Sequence, residues 1–142
     1  MKKISKKQAW AIGALVAIAT PVWAHHSTAA YDYSRSAVLE GTVKEFQWTN
    51  PHMFIHLVVR DAAGKSVEWS IECGTPNINV RHGWKQTDLK PGDKVTAKIH
   101  PMRNVNSQAG GEGGTLMTVT LPDGRTLYGP GNDIAGGPPP PQ

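Results

Sequence analysis

Six histidines and a single cysteine carry most of the chemistry that this chain of 142 residues has to offer. His25 and His26 stand side by side behind Val22-Trp23-Ala24, and His52 follows Asn50-Pro51 at the start of an alternating apolar run. Small side chains at positions 22 and 24 suit cleavage after Ala24, which makes His25 the first residue of the processed chain. Its α-amine, with a reference pKa of about 8, and its imidazole Nδ1 can close a chelate ring on one metal ion. One more imidazole completes a T-shaped set of three nitrogens, an arrangement that suits the tetragonal preference of Cu(II). His26 can reach the same ion through the amine, the intervening amide and its own ring. His52, held at a turn, is the natural ligand from elsewhere in the chain.

The other residues of this type fit the pattern less well. His52 and His56 lie on one face of a strand, but roughly 13 Å separates their Cα atoms at about 3.3 Å per residue, too far to chelate one ion. His56 and His100 read as outward strand residues, and His82 as a helix-end residue favoured by the negative end of the dipole. Met53 and Met117 fall at core positions, whereas Met102 beside His100 is a candidate soft ligand for Cu(I). The competing account of His25, His26 and His52 is a frayed terminus without metal and a turn histidine bonded to backbone. Cys73, with no second cysteine to pair with, reads as a small buried hydrophobe; a soft ligand and an intermolecular disulfide are the sharper alternatives. No CxxC is present, which excludes a thiol–disulfide oxidoreductase.

Enzyme readings find little support. Ser27 beside His26 has no acid fixed near it and no nucleophile elbow. Glu68 and Glu72 share a strand face, as they equally would on a solvated edge. There is no phosphate loop and no haem attachment motif, and a histidine-brace copper oxidase has only the N-terminal histidine in its favour.

Charge and compartment follow from the first 24 residues. Lys2, Lys3, Lys6 and Lys7 form a positive leader, Ala9–Ala19 a short apolar segment, and Pro21 breaks it. The run is too short to span a bilayer comfortably, so the expectation is a cleaved signal, an exported or periplasmic protein and no stable membrane anchor. Those four lysines belong to the chain's 15 basic groups, and all 11 acidic groups lie beyond Ala24, so the processed chain carries 11 of each. With no net charge, attraction to nucleic acid loses its support.

The elements that position these residues read as strands. Leu39, Gly41 and Val43 alternate with polar residues, while Phe46 and Trp48 fall on the other parity, which predicts a bulge near Lys44–Glu45 within a strand spanning 38–48. Met53, Ile55, Leu57 and Val59 form one face of a second strand. Val67, Trp69, Ile71 and Cys73 form one face of a third, with Asp61-Ala62-Ala63-Gly64-Lys65 as the loop between them. Thr75 as N-cap and Pro76 at the first position predict a short, weak helix ending near His82-Gly83. Pro91-Gly92 marks a turn, Val95, Ala97 and Ile99 a fourth strand, and Thr115–Leu121 a fifth, with Arg125–Tyr128 a short return. Three strands, a helix and two strands are the order of a five-stranded OB-like Greek-key barrel, the alternatives being a small antiparallel sandwich or a β-roll. The domain is expected over 37–128, after an arm at 25–36 and before a Gly/Pro-rich tail at 129–142 that cannot order itself.

Several signatures then recur in one order: His-His-Ser at 25–27, Glu40-Gly41-Thr42-Val43, Trp48-Thr49-Asn50-Pro51-His52, Gly74-Thr75-Pro76-Asn77, Gly83-Trp84, Leu89-Lys90-Pro91-Gly92-Asp93 and Val119-Thr120-Leu121-Pro122-Asp123-Gly124. In these the chain resembles a family of small exported bacterial proteins catalogued only as a domain of unknown function. The resemblance runs from about Ala24 to Leu127 and implies an exported OB-like domain without an established activity. It puts His25, His26 and His52 on the family's usual histidines and Glu72 on its usual acid before the turn. His56, Cys73, His82 and His100 match nothing in it, and Phe54 stands where tryptophan is expected.

The expectation is a periplasmic OB-like barrel whose N-terminal arm carries a copper site for binding, buffering or delivery. His25, His26 and His52 are its ligands, Glu72 orients a ring, and the partners are a metal ion and a periplasmic protein. The alternative is a non-metal module that binds a small polar ligand, an oligosaccharide or a protein on the outer face of strands two and three, which offers Phe54, His56, Val58, Arg60, Glu68, Ser70 and Glu72.

Overall fold

The structure, a computed structural model, describes residues 30–103 and 112–134. The leader, His25 and His26, residues 104–111 and residues 135–142 lie outside the described residues. Among the described residues six strands form one sheet: β1 (Ala37–Gln47), β2 (Phe54–Arg60), β3 (Ser66–Glu72), β4 (Lys94–Pro101), β5 (Glu112–Thr120) and β6 (Thr126–Tyr128). Their order is β3-β2-β1-β4-β5-β6, and β3 also pairs with β5, in parallel. That last pairing closes β1 to β5 into the ring of an OB-like barrel, and β6 hairpins back on the outside of β5. The sandwich and β-roll alternatives are thereby set aside. Helix α1 (Pro76–Arg81) lies between β3 and β4, and α2 (Pro130–Ile134) follows β6.

The alternation read in the sequence fills the ring. Met53, Ile55, Leu57, Ile71, Cys73, Ala97, Ile99, Leu116 and Val119 are sealed from solvent, which is the main stabilising term of so small a core. The register of β1 against β2 shifts between Val43 and Glu45. This bulge turns Phe46 and Trp48 toward the core, where Phe46 packs edge-on to Trp48 at a ring separation of 5.7 Å and against Trp84 at 6.1 Å. Gly41 allows the bend of β1: a Cβ there would stand 2.9 Å from the Val58 carbonyl oxygen.

Helix α1 begins at Pro76 as expected, but Thr75, extended at φ −90°, makes no side-chain cap bond. Asn79 has poor helix propensity and holds the helix from inside. It is buried, and its amide donates to the Cys73 carbonyl at 2.5 Å.

Two expectations need correction. His100 was read as outward, yet only 3% of its surface is exposed. Its Nδ1 donates to the Arg35 carbonyl at 2.6 Å, and the Tyr33 ring meets it edge-on at 5.2 Å. What covers His100 is the arm on one side and Gly131 of α2 on the other. Nor does the chain leave the barrel at Tyr128. Gly129, Gly131 and Asn132 are buried, and the Gly129 amide donates to the Met117 carbonyl at 2.9 Å.

A side chain at Gly129 has no room, because its Cβ would fall 2.5 Å from the Leu116 carbonyl oxygen and 2.7 Å from Leu116 Cβ. Gly129→Ala should therefore destabilise the fold by about 1–3 kcal/mol through overpacking, measured by urea unfolding. A loss below ~0.5 kcal/mol would show that the segment carrying α2 is free to shift.

A histidine–carboxylate–phenol cluster at the Asn-Pro turn

The ladder between β2 and β3 decides where His52 points. Phe54 pairs with Glu72, and the Met53 amide donates to the Gly74 carbonyl while Cys73 N–H donates to Met53 O, both at 2.8 Å. The pairing thus continues past the end of β2. His52 becomes the diagonal neighbour of Glu72 on the outer face, within side-chain reach. The turn itself is a cis Asn50–Pro51 peptide, with Thr49 Oγ1 donating to the His52 carbonyl at 3.2 Å.

His52 Nδ1 lies 2.6 Å from Glu72 Oε1, with each side chain 22% exposed. The other carboxylate oxygen, Oε2, accepts from the Tyr31 hydroxyl at 2.5 Å. One carboxylate so ties together the arm, β3 and the turn before β2. Burial, and then the adjacent Glu72 carboxylate, push the Tyr31 phenol well above the usual tyrosine range, so it stays a donor. The same two causes, in the same order, raise Tyr33.

His52 and the Glu72 carboxylate thus stand in close contact at the rim of the barrel, and a carboxylate beside the ring is a common neighbour of histidines that bind a metal or move a proton. The other candidates are placed elsewhere. His56 lies on the outer face with its ring stacked on Phe54 at 6.3 Å, and His82 is the C-cap of α1. Cys73 is fully buried, and burial pushes its thiol up, so it is a core residue. Met53 and Met117 are core, while Met102 lies half-buried over Gly113. Among the described residues no group of three or more His, Cys, Asp or Glu is placed to hold a metal. Tyr31 escaped the sequence reading; its only signal was the Tyr-Asp-Tyr spacing, which puts Tyr31 and Tyr33 on one side of an extended segment.

A family model described as a family of unknown function (DUF6152) matches residues 9–111. No curated protein matches the chain. Among solved structures, the mitochondrial single-stranded DNA binding protein Rim1 of S. cerevisiae is similar at 14% identity and a TM-score of 0.46, over 67% of this chain and 97% of that one.

Proposed function

The chain belongs to this family of unknown function, so its role has to be read from its own residues, and we propose that it is an exported metal-binding protein that takes copper. The kinship read from its motifs is sound; the activity is a separate matter. The observation that supports copper is the 2.6 Å contact between His52 Nδ1 and Glu72 Oε1, which sets a histidine beside a carboxylate at a half-buried turn. His25 supplies amine and imidazole and His26 a further imidazole once the signal is removed in the periplasm. His25 precedes Tyr31 by six residues, a span of up to about 20 Å. Because the Tyr31 phenol already sits on the carboxylate that holds His52, the arm is long enough. Binding, buffering or delivery to a periplasmic partner is the role that such a site serves.

The test is metal content with intact mass on protein exported and processed in its own periplasm. The expected result is a chain starting at His25 with about one copper bound, since the set described supplies a single tetragonal site. A retained residue or tag ahead of His25 should weaken binding sharply, because it removes the amine. Equal binding by tagged and processed forms would refute the N-terminal model.

One observation favours a second reading, a non-metal ligand module. A groove of about 670 Å³ is lined by polar and apolar residues alike, among them Glu40, Thr42, Val58, Arg60, Lys94 and Val95. Correct processing with no copper bound, even after Cu(II) is added, would leave that reading as the better one.

A further inference from the structure

We infer that His100 is the shared seat of a two-sided clasp, through which the arm before β1 and the segment carrying α2 hold each other closed over the barrel. The clasp is independent of what the His52–Glu72 cluster binds. His100 is 3% exposed, and its two nitrogens stand in different surroundings. Nδ1 donates to the Arg35 carbonyl at 2.6 Å, a bond that only the docked arm supplies. Nε2 is sealed in the same place and has no hydrogen-bond partner among the described residues. On the arm's side the Tyr33 ring meets the imidazole edge-on at 5.2 Å. From the other end of the chain Gly131 closes so tightly that a Cβ on it would lie 3.2 Å from His100 Cδ2 and 2.9 Å from the Leu116 carbonyl oxygen.

The two covers are anchored on different strands. The arm follows the end of β4, with Asp32 N–H donating to Pro101 O at 2.8 Å and Arg103 N–H to Ala30 O at 2.9 Å. The α2 segment is tied to β5 through Gly129 N–H and Met117 O at 2.9 Å. What they share is the imidazole. When one cover lifts, the ring loses a wall of packing, and it is no longer held in the position against which the other cover closes. Water then reaches Nε2, so opening recovers a hydrogen bond that the closed state forgoes. Coupling of this kind is reciprocal: release of either end weakens the other by the same factor. The consequence reaches the cluster, because Tyr31 belongs to the arm and its phenol bonds Glu72, the carboxylate beside His52. Drawing α2 away therefore loosens Tyr31 and uncovers the His52–Glu72 pair from the far side of His100.

The experiment is hydrogen exchange at single amides of the full chain, exported and processed, as wild type, Gly131→Ala and Tyr33→Ala. The Asp32 and Arg103 amides report the arm and the Gly129 amide the α2 segment. The Val43 amide, bonded to Asp93 O at 2.8 Å, reports the barrel. Gly131→Ala should lower protection at Gly129 and also, roughly tenfold, at Asp32 and Arg103. Tyr33→Ala should lower it at Asp32 and Arg103 and, by a comparable factor, at Gly129. Val43 should be unchanged in both. With His100→Ala as the background, each replacement should act on its own end alone. A loss confined to the replaced end with His100 in place would overturn the clasp. So would unchanged protection at Gly129 in Gly131→Ala, since the segment would then not close on the ring. An equal loss at Val43 would overturn it too, because the whole barrel would be opening.

Discussion

His52→Ala is expected to lower Cu(II) affinity by at least about a hundredfold, more than the roughly ten- to hundredfold expected for replacing a residue that only orients a ligand. His52 is the histidine of the proposed set that belongs to the barrel, and Glu72 already holds its Nδ1 at 2.6 Å. Without it the arm keeps the amine and imidazole of His25 but loses the nitrogen that ties the ion to a fixed surface. Glu72→Gln should cost roughly tenfold to a hundredfold, because the amide removes the carboxylate charge that lies 2.6 Å from the ring. The order matters: His52→Ala must be the worse of the two. Isothermal titration with Cu(II) on processed protein decides it. Wild-type affinity in His52→Ala would mean that the barrel contributes no ligand and that the arm binds copper alone.

Trp84→Ala should cost about 3–5 kcal/mol, a large share of the ~5–15 kcal/mol that holds a domain of this size. Trp84 is 2% exposed, packs against Phe46, and its indole Nε1 donates to the Tyr128 carbonyl at 3.0 Å. It therefore joins the bulged end of β1 to the short strand β6. Trp84→Phe keeps most of the buried surface and loses the hydrogen bond, so it should cost about 1 kcal/mol from that bond plus part of the volume. Urea unfolding of the pair separates packing from hydrogen bonding. If Trp84→Ala lost no more than Trp84→Phe, the indole would not be filling the core as its burial implies.

Much of the barrel was legible because its periods are local. The two-residue alternation of Met53-Ile55-Leu57 and of Trp69-Ile71-Cys73 places each side chain on a face whatever surrounds it. The parity break between Val43 and Phe46 announced the bulge, since a slip of one residue turns every following side chain over. Pro76 marked the start of α1 by its fixed φ. The same alternation put His52, His56, Glu68 and Glu72 on the outer face, but not which of them touch. That depends on the register of Phe54 against Glu72.

By itself, then, the sequence determined the strands, the bulge, the helix between β3 and β4 and the family of the chain, because each rests on residues close together in the chain or on short motifs. The tertiary structure alone decided that His100 is buried, that Gly129-Pro130-Gly131 is part of the fold, and that Tyr31 reaches Glu72. His100 alternates like any outward residue, and becomes an inner one only when the arm and α2 close over it. A Gly/Pro run has no period to betray an ordered end. Here it orders because glycine alone lets the backbone lie against Leu116. Contacts of this kind join segments tens of residues apart, and what selects them is the shape left exposed once the barrel has closed.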